Sequence, residues 1–211
     1  MQKDIFLSGE GDAFISRNRT TIESDDWQKQ DLLYAKLRQL DLPTGTRALE
    51  IGCGEGSRLA RLRQDADWHC AGIDPSALGV TLACKKGIDA KQATADNLPF
   101  ADAIFDVVIF GFCLYLCDRT DLFRIAAEAD RVLKKSGWLI IYDFYADNMY
   151  SNDYKHNPAV HSYKMDYRQL FSWHPFYTCL AHQIFDYAGK SVPDNPDNWT
   201  ALSILRKCDV T

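Results

Sequence analysis

Three glycines alternate through Ala48-Leu49-Glu50-Ile51-Gly52-Cys53-Gly54-Glu55-Gly56, and this stretch carries the plainest chemistry in the chain. An apolar run ends at Ile51, and a helical pattern of Ser57, Leu59, Ala60 and Leu62 follows the glycines. Glycine lets the backbone pass close beneath a ligand and take positive φ, and the next helix turns its first N–H groups toward that ligand. The stretch therefore reads as a nucleotide-binding loop. Asp74 follows Gly52 by 22 positions, close to the ~20 at which dinucleotide sites place a ribose-binding acid.

Glu50 decides between ligand classes. At the carboxyl end of the strand, two residues before the first glycine, a carboxylate repels a pyrophosphate but suits a cationic or zwitterionic ligand. S-adenosylmethionine carries a sulfonium and an amino group and no phosphate. LEIGCGEG here resembles the first motif of the class I S-adenosylmethionine-dependent methyltransferases, and GIDPS (72–76) their second. ATADNLPFADAIFDVVIF (93–110) resembles the third and fourth, and RVLKKSGWLIIYDF (131–144) the helix and fifth strand. Together these cover roughly residues 45 to 145.

The resemblance implies a set of roles. Glu50, Gly52, Cys53, Gly54 and Gly56 would form the cofactor loop, and Asp74, followed by Pro75, would accept the ribose hydroxyls. Two acceptor oxygens suit a vicinal diol. Asp96 would accept the adenine amino group, with Asn97 and Leu98 by the ring. Phe110, Gly111 and Tyr115 would run beneath the methionine part. Many family members carry a histidine near Tyr115; an aromatic stands here instead.

The elements that hold these residues follow in order. Residues 1–22 read as an irregular arm with one helical turn. Asp25 and Asp26 suit a helix start, with Leu33, Leu37 and Leu40 on one face. Strand two ends at Asp74, and Pro75 suits the first turn of a helix that Gly87 stops. A short strand near 90–95 precedes strand four over 104–110. A helix over 118–135 places Lys134 and Lys135 at its carboxyl end, where they complement the dipole, and Gly137 stops it. Trp138 to Tyr142 forms strand five, with Asp143 at the binding edge. Two strands, about 177–187 and 201–207, close the sheet. The alternation predicts an α/β fold with a doubly wound parallel sheet. By resemblance it is a three-layer αβα sandwich of seven strands in order 3-2-1-4-5-7-6, strand seven antiparallel.

Residues 145–175 break the rhythm, being rich in Tyr, His, Asn and Asp and too long for a routine connection. The family inserts acceptor recognition here, so this segment is expected to be a lid too polar for core. Tyr154, His156, Tyr163, Asp166 and Tyr167 are the candidate acceptor-binding residues, with His161 the candidate base and Asp143 second choice. HSYKMDYRQLF (161–171) resembles, less specifically, methyltransferases of bacterial surface-sugar biosynthesis, which implies a sugar or other small polar acceptor.

Bulk properties narrow the classes. The 211 residues suit one domain. A net charge of −5 and no basic cluster beyond paired lysines argue against nucleic acid. No signal pattern or membrane-length apolar run is present, and seven cysteines without paired spacing fit a reducing cytoplasm. His156 and His161 lack helical metal-ligand spacing, so no metal is expected. The reading is methyl transfer from S-adenosylmethionine to a hydroxyl or amine of a small-molecule acceptor, by a monomer or homodimer. A cofactor-binding partner protein without catalysis stays open. A nicotinamide-dependent oxidoreductase is disfavoured by Glu50 and by the missing Tyr-x-x-x-Lys pair.

Overall fold

A computed structural model describes all residues except 23, 25–28, 188–194 and 210–211, and leaves the Ile22 side chain undescribed. Five parallel strands form the centre: β1 (Arg47–Ile51), β2 (His69–Asp74), β3 (Asp89–Gln92), β4 (Phe105–Gly111) and β5 (Leu133–Phe144). A hairpin in the insertion, β6 (Tyr150–Asp153) and β7 (His161–Lys164), stands apart from them. The sheet ends in β8 (Tyr177–Asp186) and β9 (Trp199–Lys207). Its order is β3-β2-β1-β4-β5-β9-β8, with β9 antiparallel to both neighbours. With the hairpin counted apart, this is the expected 3-2-1-4-5-7-6.

Side chains alternate across a strand, so β1 buries Leu49 and Ile51 in one core and turns Ala48 and Glu50 to the other face. That second face is covered by α3 (Leu32–Gln39) and α4 (Ser57–Ala66), through Leu33, Leu37, Leu59 and Leu62. Val107 and Ile109 of β4 and Ile140 and Tyr142 of β5 face the same way. Glu50 thus projects among apolar helices, and Arg58, buried beside Leu59 and Leu62 on α4, meets it there.

Several boundaries differ from expectation for visible reasons. Asp25 and Asp26 lie outside the described residues, and Asp31 caps α3 by accepting the Tyr34 N–H at 3.0 Å. Pro75 precedes α5 (Ala77–Lys85) rather than opening it, because Ser76 is the cap, its Oγ accepting the Gly79 N–H at 2.9 Å. Helix α6 (Leu122–Val132) ends before the lysines. Lys134 pairs with Asp106 at 2.7 Å and Lys135 with Asp209 at 3.1 Å, so neither serves the dipole. Ser136, at φ 55°, makes the turn; Gly137 is needed because a Cβ there would sit 2.5 Å from Leu133 Cδ1.

The amino-terminal segment is helical, not irregular. Helix α1 (Gln2–Ile5) runs through a π-helical stretch, Phe6–Glu10, into α2 (Gly11–Ile22), with a kink at Gly9 where φ is 145°. Long-range contacts hold it. Asp118 accepts the Gln2 and Lys3 N–H groups at 2.9 and 3.0 Å. Asp12 accepts from Ser76 Oγ at 2.6 Å and Leu78 N at 2.9 Å, at the start of α5. The 145–175 insertion is also less polar in space than in composition: Tyr145, Val160, Tyr167, Leu170 and Phe171 are buried. The last two lie on α7 (Gln169–Ser172).

If Asp118 anchors the amino-terminal helix, Asp118→Ala should cost about 0.5–2 kcal/mol, the usual worth of a lost cap. Amide exchange over residues 2–22 should rise while that of β1, β4 and β5 holds. Uniform loosening of the chain would argue against a local anchor.

Candidate functional site

The carboxyl edge of the parallel strands opens into a cavity of about 630 Å³. Gly52, Cys53 and Gly54 form its floor between β1 and α4, and the backbone there is tightly specified. The Gly52 and Cys53 N–H groups donate to Ile73 O at 2.8 and 3.0 Å. Gly52 has φ 78°, and a Cβ on it would lie 2.5 Å from Cys113 Cβ, so only glycine fits.

Acids line one end. Asp74 closes β2 with both oxygens engaged by backbone, Oδ2 accepting from Gly54 N at 2.9 Å and Oδ1 from Ser76 N at 2.8 Å. Burial raises its carboxyl to about 6 against the pull of those two N–H groups. Each oxygen keeps a second lone pair for a ligand hydroxyl. Asp96, after β3, meets Lys3 Nζ at 2.5 Å, and the same ammonium reaches Asp121 at 2.7 Å. Burial would raise the Asp96 carboxyl, but Lys3 and Thr94 together outweigh it and the net displacement is downward. The amino-terminal helix thereby closes this end, with Phe6, Gly11, Phe14 and Ile15 also in the lining.

In the middle lies a buried chain of charge. Arg58 Nη1 donates to Glu50 Oε1, and Arg58 Nε donates to Asp31 Oδ2 at 2.8 Å. Glu50 is 2% exposed, and its second oxygen, Oε2, has no hydrogen-bond partner among the described residues. Burial raises its carboxyl to about 7, with Arg58 opposing. An unmatched buried acceptor on a cavity wall is costly unless something donates to it. A ligand ammonium meets that need and a phosphate does not, so these residues fit the zwitterionic end of S-adenosylmethionine.

The remaining sequence candidates separate cleanly. Pro75, Gly111, Tyr115, Tyr154 and His156 line the cavity. Gly56 lies outside the lining as the left-handed start of α4, where a Cβ would press on Ala83 at 2.9 Å. Phe110 is wholly in the core. Leu98 is buried with its N–H on Glu128 at 2.7 Å, and Asn97 faces a smaller hollow with Arg124 and Glu128.

Asp143 is no lining residue either. Its face of β5 is opposite that of Tyr142, and it accepts the Cys113, Leu114 and Phe144 N–H groups at 3.1, 2.8 and 2.8 Å. Burial raises it to about 7, with those backbone donors pulling the other way. It fixes the loop after β4 rather than facing a substrate. His161 also lies outside the lining, on β7, 47% exposed and 3.6 Å from Asp153. Its backbone N–H donates to Gln2 Oε1 at 2.6 Å, so the position ties the hairpin to the amino-terminal helix. Tyr163 and Tyr167 lie against Arg119, and Asp166 pairs with Arg168 at 2.7 Å. None of the three lines the cavity. Sequence reasoning missed Lys3, Asp31, Arg58, Phe112 and Phe144. Arg58 had a signal, a lone charge among the apolar positions of its helix.

A family model described as a methyltransferase domain matches residues 49–141. Over that stretch the chain is similar to the methyltransferase-domain family. It is 32% identical over 130 residues to the fatty-acid O-methyltransferase of Mycolicibacterium smegmatis, covering 57% of this chain and 46% of that protein. The chain thus spans less than half of that relative. The fold matches an S-adenosylmethionine-dependent methyltransferase of Methanosarcina mazei with TM-score 0.67 and 16% identity, over 82% of this chain and 97% of that one. It also matches the 1,6-didemethyltoxoflavin-N1-methyltransferase of Burkholderia thailandensis, solved with S-adenosylhomocysteine. That match has TM-score 0.67 and 16% identity, over 94% of this chain and 87% of that one. Among the described residues no cluster of three or more candidate metal ligands occurs, and no helix is long and apolar enough to span a membrane.

Asp143→Ala should strand the buried Leu114 N–H and two part-buried donors, lowering stability by at least the roughly 1–3 kcal/mol of one unsatisfied buried group. In that account the melting temperature falls. A variant with unchanged melting and lost methyl transfer would return Asp143 to a chemical role.

Proposed function

We propose that the chain transfers the methyl group of S-adenosylmethionine to a small-molecule acceptor. The observation that carries this is the unpaired Glu50 Oε2 beside the glycine loop, with Asp74 on the neighbouring strand two positions beyond Gly72, the register partner of Glu50. Glu50, held by Arg58, would take the ammonium, Asp74 the ribose hydroxyls, and the 52–54 backbone the chain between them. Asp96 would meet the adenine edge, with Lys3 fixing it from above. When bound, S-adenosylmethionine supplies a methyl group whose carbon–sulfur bond breaks toward sulfur as the acceptor's lone pair forms the new bond.

The protein's part in that displacement is alignment and exclusion of water. The lining supports it: Cys53 and Cys113 thiols are pushed well up by burial and remain protonated, and Tyr115 likewise. They shape the site without competing as nucleophiles. The amino-terminal helix and the 150–164 hairpin would shut the cavity together, since Arg17 bridges Glu10 at 2.5 Å and the Tyr154 hydroxyl at 3.0 Å. The Mycolicibacterium relative is named for a fatty-acid acceptor, and that name lends no support to a sugar.

Calorimetry should find binding of S-adenosylhomocysteine and none of NADH. Asp74→Ala should weaken the former by roughly 1.5–3 kcal/mol, the range for hydrogen bonds to a charged group. NADH binding in preference would overturn the reading. Affinity should also depend on pH through Glu50. Its carboxyl is raised to about 7, so the ionised form that holds an ammonium is lost as pH falls below 7. Binding should weaken by up to ~10-fold per pH unit there, and flatten in Glu50→Gln. A native profile that stays level between pH 5.5 and about 7, where a ligand amine of pKa ~7.7–8.0 is mostly charged, would remove Glu50 from the ligand.

A further inference from the structure

Along the sheet the cavity changes character. Asp74 at the end of β2, Asp96 in the loop after β3 and Glu50 of β1 are among its acids. Beyond Gly111 at the end of β4, the wall becomes a continuous group of rings: Phe112, Tyr115, Tyr142, Phe144 and Tyr187, all in the lining. Tyr142 and Phe144 lie on the Glu50 face of the sheet two strands along, roughly 10 Å away at the ~4.8 Å spacing of strands.

Phe112 is the hub. Its ring centroid lies 4.7 Å from Tyr142, 5.3 Å from Phe144 and 5.8 Å from Tyr187. Phe144 stacks on Tyr187 at 5.5 Å and 19°, and meets the edge of Tyr115 at 5.0 Å. Phe112 also has φ 55°, a left-handed backbone that a bulky side chain adopts only when its surroundings hold it there. The Tyr142 carbonyl does so, accepting the Phe112 N–H at 2.8 Å. The strain aims a large ring into the cavity where a glycine would have followed the turn freely. Nor are the rings all core: Phe144 is half-buried and Tyr187 is 63% exposed.

We propose that this aromatic wall is the acceptor subsite, and that it selects a flat, apolar acceptor such as a phenol or heteroaromatic, with Phe112 and Phe144 as specificity-determining residues. The proposal rests on the methyltransferase reading and names its second substrate class. A sugar calls for charged or amide partners, and among the described residues this wall offers only tyrosine hydroxyls; the nearby Lys164 ammonium donates to Asp197 O and reaches Phe144 from outside the lining. A cage for a methylated ammonium needs rings around an empty centre. Here the rings touch one another and present a plate, the geometry in which offset stacking and edge contacts hold another flat ring.

The test is titration of the native protein, saturated with S-adenosylhomocysteine, with 4-methylumbelliferone as a fluorescent flat phenol. Methyl glucoside, choline and laurate provide the polar, cationic and flexible apolar arms. The phenol should bind at least about tenfold tighter than each of the others, and Phe144→Ala and Tyr187→Ala should each weaken it by about three- to tenfold. Phe144→Tyr, which keeps the ring, should restore it. S-adenosylhomocysteine affinity should stay within about twofold in all three, as its partners are elsewhere. Tighter binding of any other arm, or phenol affinity indifferent to both alanine variants, overturns the aromatic subsite and leaves the cofactor reading intact. Failure of the native protein to bind S-adenosylhomocysteine overturns the cofactor reading itself.

Discussion

Two carboxylates and one guanidinium are buried together beneath the cavity, and the arrangement of β1, α3 and α4 follows from keeping them paired. Arg58 reaches Glu50 with one nitrogen and Asp31 with another, so a single side chain ties the end of β1 to the start of α3. Removing ions from water costs several kcal/mol each, a cost offset here by the close pairing of both carboxylates with one guanidinium. Gly111 makes the match possible: a Cβ there would lie 2.7 Å from Arg58 Nη1 and 3.0 Å from Glu50 Oε1. The pairing leaves one oxygen over. That residue of unmet charge, on a wall that opens to a ligand, connects the fold to its use.

Everything else at the site is ordered by the sheet. Because the strands are parallel, Asp74, Glu50, Gly111 and Phe144 arrive at one edge from four neighbouring strands, and their sequence across the sheet grades the cavity from acidic to aromatic. The closing elements lie outside the seven-stranded sheet: the amino-terminal helix and the 150–164 hairpin. They are joined by Arg17 to Tyr154 and by Gln2 to His161. Such peripheral elements, held by polar contacts more than by core, are where local opening is cheapest, and a ligand must enter through them.

The sheet was legible because its signals are local: apolar runs, glycine turns and acids at strand ends each follow from a few consecutive residues. Glu50 and Asp74 were legible for the same reason. Arg58, Asp31, Lys3 and Phe112 were not, since their importance lies in partners 8 to 118 positions away or in a backbone angle that no residue type announces. His161 and Asp143 drew attention by chemistry and address alone. The structure turns one outward on a hairpin and gives the other three backbone donors to hold. The insertion misled by composition, since its tyrosines include buried packing residues as well as the one that lines the cavity.

The central claim is that the unpaired Glu50 oxygen receives the ligand ammonium. It is tested most directly by a double-mutant cycle between Glu50→Gln and removal of the ligand's amino group, using S-adenosylhomocysteine and its deaminated analogue with the native protein and the variant. The account predicts that deamination costs the native protein roughly 1.5–3 kcal/mol, as expected for a charged hydrogen bond, and costs Glu50→Gln much less. Equal losses in the two proteins would contradict it, for the ammonium would then be held elsewhere.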